Sequence, residues 1–155
     1  MKDQREPRRR WLALAIAIAW QAVSSRPAAA QDGQGGSVVV SGGWAQAVPP
    51  EARESRGFLV VRNTGSMTAR LVSAWSPDVE AVRMLERDPV SATAFRSPPE
   101  GFSIPPDGTL TMEPGGPHLA LDGLRQPLGP GDAIRVFLRF ERAGEIAVEL
   151  RGHDH

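Results

Sequence analysis

The chain contains no cysteine and no tyrosine, and only three histidines, His118, His153 and His155. Without cysteine there is no disulfide to staple an exported domain, so it must be held by its core alone. The roughly 125 residues that follow a leader are enough for one such core. With neither thiol nor phenol, and one histidine in the folded body, a nucleophile–base pair would need His118 beside a serine or threonine plus an orienting acid. Asp122 shares a strand face with His118, but no nucleophile-elbow sequence occurs, which leaves a secreted hydrolase as the weakest reading. A phosphate-cradling glycine loop opening a helix is also missing, since Gly33, Gly35, Gly36, Gly42 and Gly43 lie around the start and an early strand. The expectation is a non-enzyme.

Long apolar runs are scarce too. Trp11–Val23 is the only one, and it falls short of the ~20 residues that span a bilayer. It follows Arg5, Arg8, Arg9 and Arg10 and precedes Ala28-Ala29-Ala30, the small residues that signal peptidase needs before a cut. Residues 1–30 are therefore expected to be a signal peptide cleaved near Ala30, making the mature protein periplasmic or secreted with no membrane span. Arg8–Leu12 loosely fits a twin-arginine signal, although an ordinary secretory n-region explains the same charges.

An excess of positive charge is likewise absent. The chain has 18 basic and 18 acidic residues, and the leader removes six basic and two acidic ones, so the mature net charge is about −4 with both signs mixed. Nucleic acid and anionic membranes, which want a basic face, are unfavoured partners.

What is present is a succession of short strands. Gln31–Gly36 is Gly/Gln-rich and expected to be flexible. Val38–Val40 and Trp44–Val48 are strand-like and stop at Pro49-Pro50. Glu51–Arg56 is charged and loop-like. Gly57–Asn63 is apolar at its centre, as for a strand covered on both faces, and Asn63–Ser66 is a turn that should return the chain as a hairpin through Ala69–Trp75. Val79–Glu86 is a strand candidate, although Ala, Arg, Met, Leu and Glu also form helices readily. Between Pro89 and Gly101 there is room for a brief strand at Ala92–Arg96. Pro105–Gly108 is a turn and Thr109–Glu113 a strand. Glu113–Phe140 contains two Pro/Gly bends, a short alternating segment around His118 and one long strand. Ile134, Val136, Leu138 and Phe140 alternate inward, and Ile146, Val148 and Leu150 repeat the pattern after Ala143-Gly144, giving a hairpin. Along Pro117–Asp122, Leu119 and Leu121 share the core face, so His118 is expected to face out. Turn signals every ten residues or so, with no convincing helix, predict an all-β, antiparallel Greek-key β-sandwich over residues 37–151.

The order and spacing of several blocks in this region resemble the periplasmic copper chaperones of the PCuAC family, small cupredoxin-like sandwiches. The blocks are Phe58–Gly65, Leu71–Ala74, Ile104–Gly108, Glu113–His118, Gly123–Leu128, Gly131-Asp132 and Phe140–Glu145. In that family copper(I) is held by a histidine, a methionine eleven residues on, and a His-x-Met pair a further twenty-two on. Soft thioether and imidazole donors suit that ion. Carried onto this chain, the first histidine falls on Leu85 and the methionine on Arg96, or on Phe95 if the loop differs by one. The pair falls on His118 and Ala120, so only His118 matches. Met84 and Met112 fit core packing, and Met67 lies at a turn.

The end, residues 152–155, carries His153 and His155 around Asp154, a cluster that can meet a divalent metal such as copper(II). The resemblance implies a copper chaperone-like protein holding copper weakly through His118, His153 and His155. Its partners would be copper-transport or cytochrome oxidase assembly proteins. The alternative is a metal-free β-sandwich interaction module.

Overall fold

The computed structural model describes residues 33–35 and 37–154. The leader, its cleavage site and His155 lie outside the described residues. Every regular element among those described is a strand: β1 (Gly33–Gly35), β2 (Val38–Gln46), β3 (Glu54–Asn63), β4 (Ala69–Trp75), β5 (Val79–Arg87), β6 (Phe95–Arg96), β7 (Phe102–Ile104), β8 (Thr109–Thr111), β9 (His118–Leu124), β10 (Ala133–Phe140) and β11 (Gly144–His153). The hydrogen-bonded order is β6-β5-β9-β3-β2-β11-β10-β4-β7, with β1 on β2 and β8 on β3. Pairing is antiparallel except for β2 with β11, where Trp44–Gln46 runs parallel to Arg151–His153.

This open mixed sheet doubles over into two layers. β4 and β5 stand near opposite ends of the path, yet only residues 76–78 join them. The bend in β2 falls at a register shift between Ser41 and Trp44, where Gly42 takes φ 63°, a left-handed conformation that costs glycine nothing. Between the layers lies one core. Val38, Val40, Leu59, Val61, Leu119, Leu121, Val136, Leu138, Val148 and Leu150 are buried at alternate positions of five strands. Met112 is buried in this core and Met84 packs against it. Met67 is 56% exposed.

Several expectations are corrected. β3 and β4 do not form a hairpin: β3 pairs with β2, β8 and β9, whereas β4 pairs with β10 and β7. The turn between them crosses from one layer to the other. Asn63 fixes it, because its buried side-chain amide donates to the carbonyls of Met67 (2.7 Å) and Ile104 (3.0 Å) and its oxygen accepts from the Gly65 N–H (3.0 Å). β3 begins at Glu54, inside the stretch read as loop, because Glu54–Gly57 finds partners along Leu119–Asp122 of β9. The strand expected at Val79–Glu86 is present, as Val79–Arg87, and β9 supplies its ladder from Val79 to Leu85. At Pro105–Gly108 the positive φ belongs to Asp107 (58°), and the Gly108 N–H closes the turn on the Pro105 carbonyl at 2.8 Å. Gly33–Gly35, within the segment expected to be flexible, pairs with Val38–Val40. β11 runs on to His153, past the expected domain end.

Replacing Asn63 by alanine would strand two carbonyls and one N–H in the crossing. We expect Asn63→Ala to cost about 2–4 kcal/mol, read as a lower urea midpoint with an unchanged slope.

Candidate functional site

The outer face of β2, β3, β9 and β5 gathers the residues around His118. Register sets Trp44 opposite Phe58, Arg56 opposite Ala120, Arg83 opposite Ala120 and Leu85 opposite His118. Side chains directly opposite on one face stand about 4.5–5.5 Å apart at Cβ. An apolar row therefore crosses four strands, with Phe58 buried in the core cluster and Trp44 packed against that cluster. Trp44 and Phe58 pack with centroids 4.4 Å apart, and Phe58 lies 6.3 Å from the His118 ring. Phe95 of β6 closes the row, meeting the imidazole edge-on at 4.8 Å and 80°.

His118 does not face solvent as the alternation predicts; it is 4% exposed and its strand neighbour Ala120 7%. The alternation itself holds, with Leu119 and Leu121 inward. What covers His118 on the outer side is the Phe95 ring of β6, which pairs along the end of β5. Arg87 ties it down: its guanidinium donates to the carbonyls of Gly115 (2.7 Å) and Ala92, and lies 5.4 Å from the centre of the Phe95 ring. The expected strand Ala92–Arg96 shrinks to Phe95–Arg96.

The His118 ring is oriented by its Nδ1, 3.0 Å from the Gly116 carbonyl. A carbonyl oxygen can only accept, so Nδ1 carries the proton and, in the neutral ring, Nε2 keeps the lone pair. Among the described residues Nε2 has no protein partner. It is not sealed either, because among the described residues the only buried side-chain polar atom without a hydrogen bond is Arg70 Nε, which stands 3.5 Å from Glu141.

The cleft beside this ring has a volume of about 420 Å³. Leu85, Phe95, His118, Ala120 and Val48 line one part of it, and Glu54, Arg56, Arg83 and Asp122 the other. Arg83 grips Asp122 with two parallel bonds, Nε to Oδ2 at 2.5 Å and the second nitrogen to Oδ1 at 3.1 Å. That fork holds the Asp122 carboxyl below its ordinary range and pushes Arg83 up. Asp122 is thus an ion-pair partner, not an acid orienting His118.

Of the positions singled out in the sequence, Leu85, Phe95, His118 and Ala120 come together. Arg96 does not: it turns away from the cleft and pairs with Glu86 at 3.1 Å. Phe95 is therefore the residue facing His118. His153 stands apart on β11, opposite Gln46, and lines a different cleft of about 570 Å³ with Trp44, Pro130 and Arg151. Strands β2 and β3 intervene between β11 and β9, so three steps of about 4.8 Å separate the two histidines across the sheet, far beyond a shared metal's reach. No group of three His, Cys, Asp or Glu side chains able to hold a metal occurs among the described residues. Sequence reasoning missed Arg56, Arg87 and the Trp44–Phe58 pair; the register of β3 against β2 and β9 is the signal that would have found them.

A native-state titration should find Asp122 ionised below the ordinary carboxylate pKa of about 3.9. Because its folded value is depressed, the stability it contributes is present above that value and lost as pH falls through the lower folded one. Arg83→Gln should return the Asp122 midpoint toward 3.9, with a stability loss of no more than about 1 kcal/mol for so exposed a pair.

Residues 38–151 match the model of the family described as "Putative lipoprotein LpqE-like". The chain is 38% identical over 117 residues to "Putative lipoprotein Lxx21020" of Leifsonia xyli subsp. xyli (strain CTCB07), covering 74% of this chain and 69% of that protein. Among solved structures, the copper-bound PCuAC domain from PmoF2 superposes with a TM-score of 0.68 at 22% identity, over 80% of this chain and 98% of that domain. The copper(I) form of DR1885 from Deinococcus radiodurans gives 0.59 at 24% identity, over 74% of this chain and 76% of that one. At these identities the structural likeness shows the fold, an all-β sandwich of the PCuAC, cupredoxin-like type. The protein belongs to the LpqE-like family.

Proposed function

We propose that this is an exported, non-enzymatic binding module that keeps the copper-chaperone-like fold while its own copper position is filled by apolar side chains. One observation carries the reading. The side chains at the places where the PCuAC resemblance puts ligands converge on one spot, and beside His118 they are Leu85, Phe95 and Ala120, none of which donates to a metal. A single imidazole does not hold copper(I) against competitors, because affinity comes from several donors fixed together. The partner would be another envelope protein, such as a component of copper transport or cytochrome oxidase assembly.

The family description supports export, as does the leader-like start with a cut expected near Ala30. Among the described residues no helix is long and apolar enough to cross a membrane.

A second reading, weak copper capture, draws on the open lone pair of His118 Nε2. On that reading His153 and His155 would form a separate weak point, since β2 and β3 part His153 from His118.

Two measurements separate these. Copper(I) titration of the mature protein against a chelator should show no capture above a His118→Ala variant lacking residues 153–155, whereas a clear excess would favour the second reading. Envelope proteins captured by the mature chain should still be captured by that variant. A triple variant, Leu85→His with Phe95→Met and Ala120→Met, should gain copper(I) binding by at least a hundredfold, because it returns donors to positions that already converge.

A further inference from the structure

The cleft beside His118 is built asymmetrically: besides the Glu54 and Gln46 side chains it holds an imidazole acceptor and a guanidinium whose placement points to a ligand. His118 Nε2 belongs to a side chain more than nine-tenths buried, lines the cleft and meets no protein donor. Arg56 lines the same cleft from β3 and makes no side-chain hydrogen bond or ion pair among the described residues. The other guanidinium of the cleft, Arg83, is already neutralised by Asp122 through two bonds. Arg56 is therefore the cation left to bind.

The spacing of these groups selects a chemistry. Arg56 sits opposite Ala120, and His118 is two residues back along β9. Such diagonal neighbours stand roughly 7–8 Å apart. A guanidinium offers paired N–H donors that match a carboxylate, whereas Nε2 can only accept from an N–H or O–H of the ligand. Between and beside them, Leu85, Phe95 and Val48 offer apolar wall, and Ala120 leaves a shallow floor. Glu54, which also lines the cleft, keeps its net charge near neutral and disfavours bare anions such as phosphate.

We infer that this cleft binds an α-carboxylate that carries an adjacent N–H donor and an apolar side chain, the chemistry of an amino acid or of a peptide's C-terminal residue. The carboxylate lies on Arg56, the N–H points to His118 Nε2 and the side chain packs between Leu85 and Phe95. This rests on the reading of the protein as a binding module and names what the module would grip. The Arg87 ties hold Phe95 in place and so preform the apolar wall.

The test uses the mature chain with three probes, the tripeptide Ala-Ala-Leu with a free C-terminus, the same peptide amidated, and free L-leucine. Calorimetry reads affinity, and imidazole ¹⁵N spectra read His118 Nε2. The free-acid peptide should bind and shift the Nε2 resonance, and the amide should bind at least tenfold more weakly. Arg56→Gln, an exposed change that leaves the core alone, should weaken the acid peptide by about ten- to a hundredfold, the worth of a charge-assisted hydrogen bond. Arg135→Gln, on β10, should change nothing. Leucine binding as tightly as the peptide assigns the site to free amino acids; leucine at least tenfold weaker assigns it to chain ends. Equal binding of acid and amide, an unaffected Arg56→Gln variant, or no Nε2 shift at millimolar probe would overturn the inference. Capture of envelope proteins that survives such a result would leave the binding-module reading standing.

Discussion

The structure depends on β9 being covered on both faces. On one side Leu119 and Leu121 plug the core between the layers; on the other His118 and Ala120 lie under Phe95 and beside Phe58. A strand flanked by β5 and β3 and shielded above and below exposes little backbone to water, so its hydrogen bonds are protected and its register is fixed. That fixed register lets side chains from four strands meet at one point. Were β6 and its Arg87 tether absent, the same strand would present an open imidazole on a half-wet sheet.

The two faces answer to different demands. Inward residues must fill a shared volume, and a lost methylene there is felt at once. Outward residues around His118 form a small apolar row of Trp44, Phe58, His118, Leu85 and Phe95, joined to the core cluster through Phe58. Exchanging a donor for an apolar side chain on that outer row leaves the inner packing untouched. A fold can therefore persist while the chemistry on its surface changes, in keeping with likeness to PCuAC domains at 22–24% identity.

Much of this was legible in the residues. The alternation of Ile134–Phe140 and Ile146–Leu150 identified the β10–β11 hairpin and its buried set, because strict period-two patterning leaves one solution for which face goes in. The all-β class and the core role of Met84 and Met112 were legible for similar reasons, whereas the positions around His118 came from the family resemblance and not from patterning. The β3–β4 hairpin was misread because Asn63–Ser66 has the composition of a tight turn, and composition does not say whether the chain returns beside itself or crosses to another layer. The Asn63 side chain settles that through carbonyls 4 and 41 residues away, the second of which no local pattern reveals. The exposure of His118 was misread for an allied reason. Alternation assigns a side chain to a face, but whether that face is wet depends on distant segments, here a two-residue strand among prolines.

The same logic explains why His153 and His118 look like partners in the sequence and are not in the fold. Histidine count suggests a pooled site, since a scarce residue type invites grouping. Sheet order overrules it: β11 enters beside β2 through the parallel pairing, and both β2 and β3 lie between it and β9. Ligands on one sheet face can share an ion when they sit on adjacent strands at matching register, as Leu85 and His118 do. Two strands of separation forbid it whatever the side chains are. The four positions that converge on this face do so without His153, and Arg56, Glu54 and His118 Nε2 are polar groups set in the same cleft.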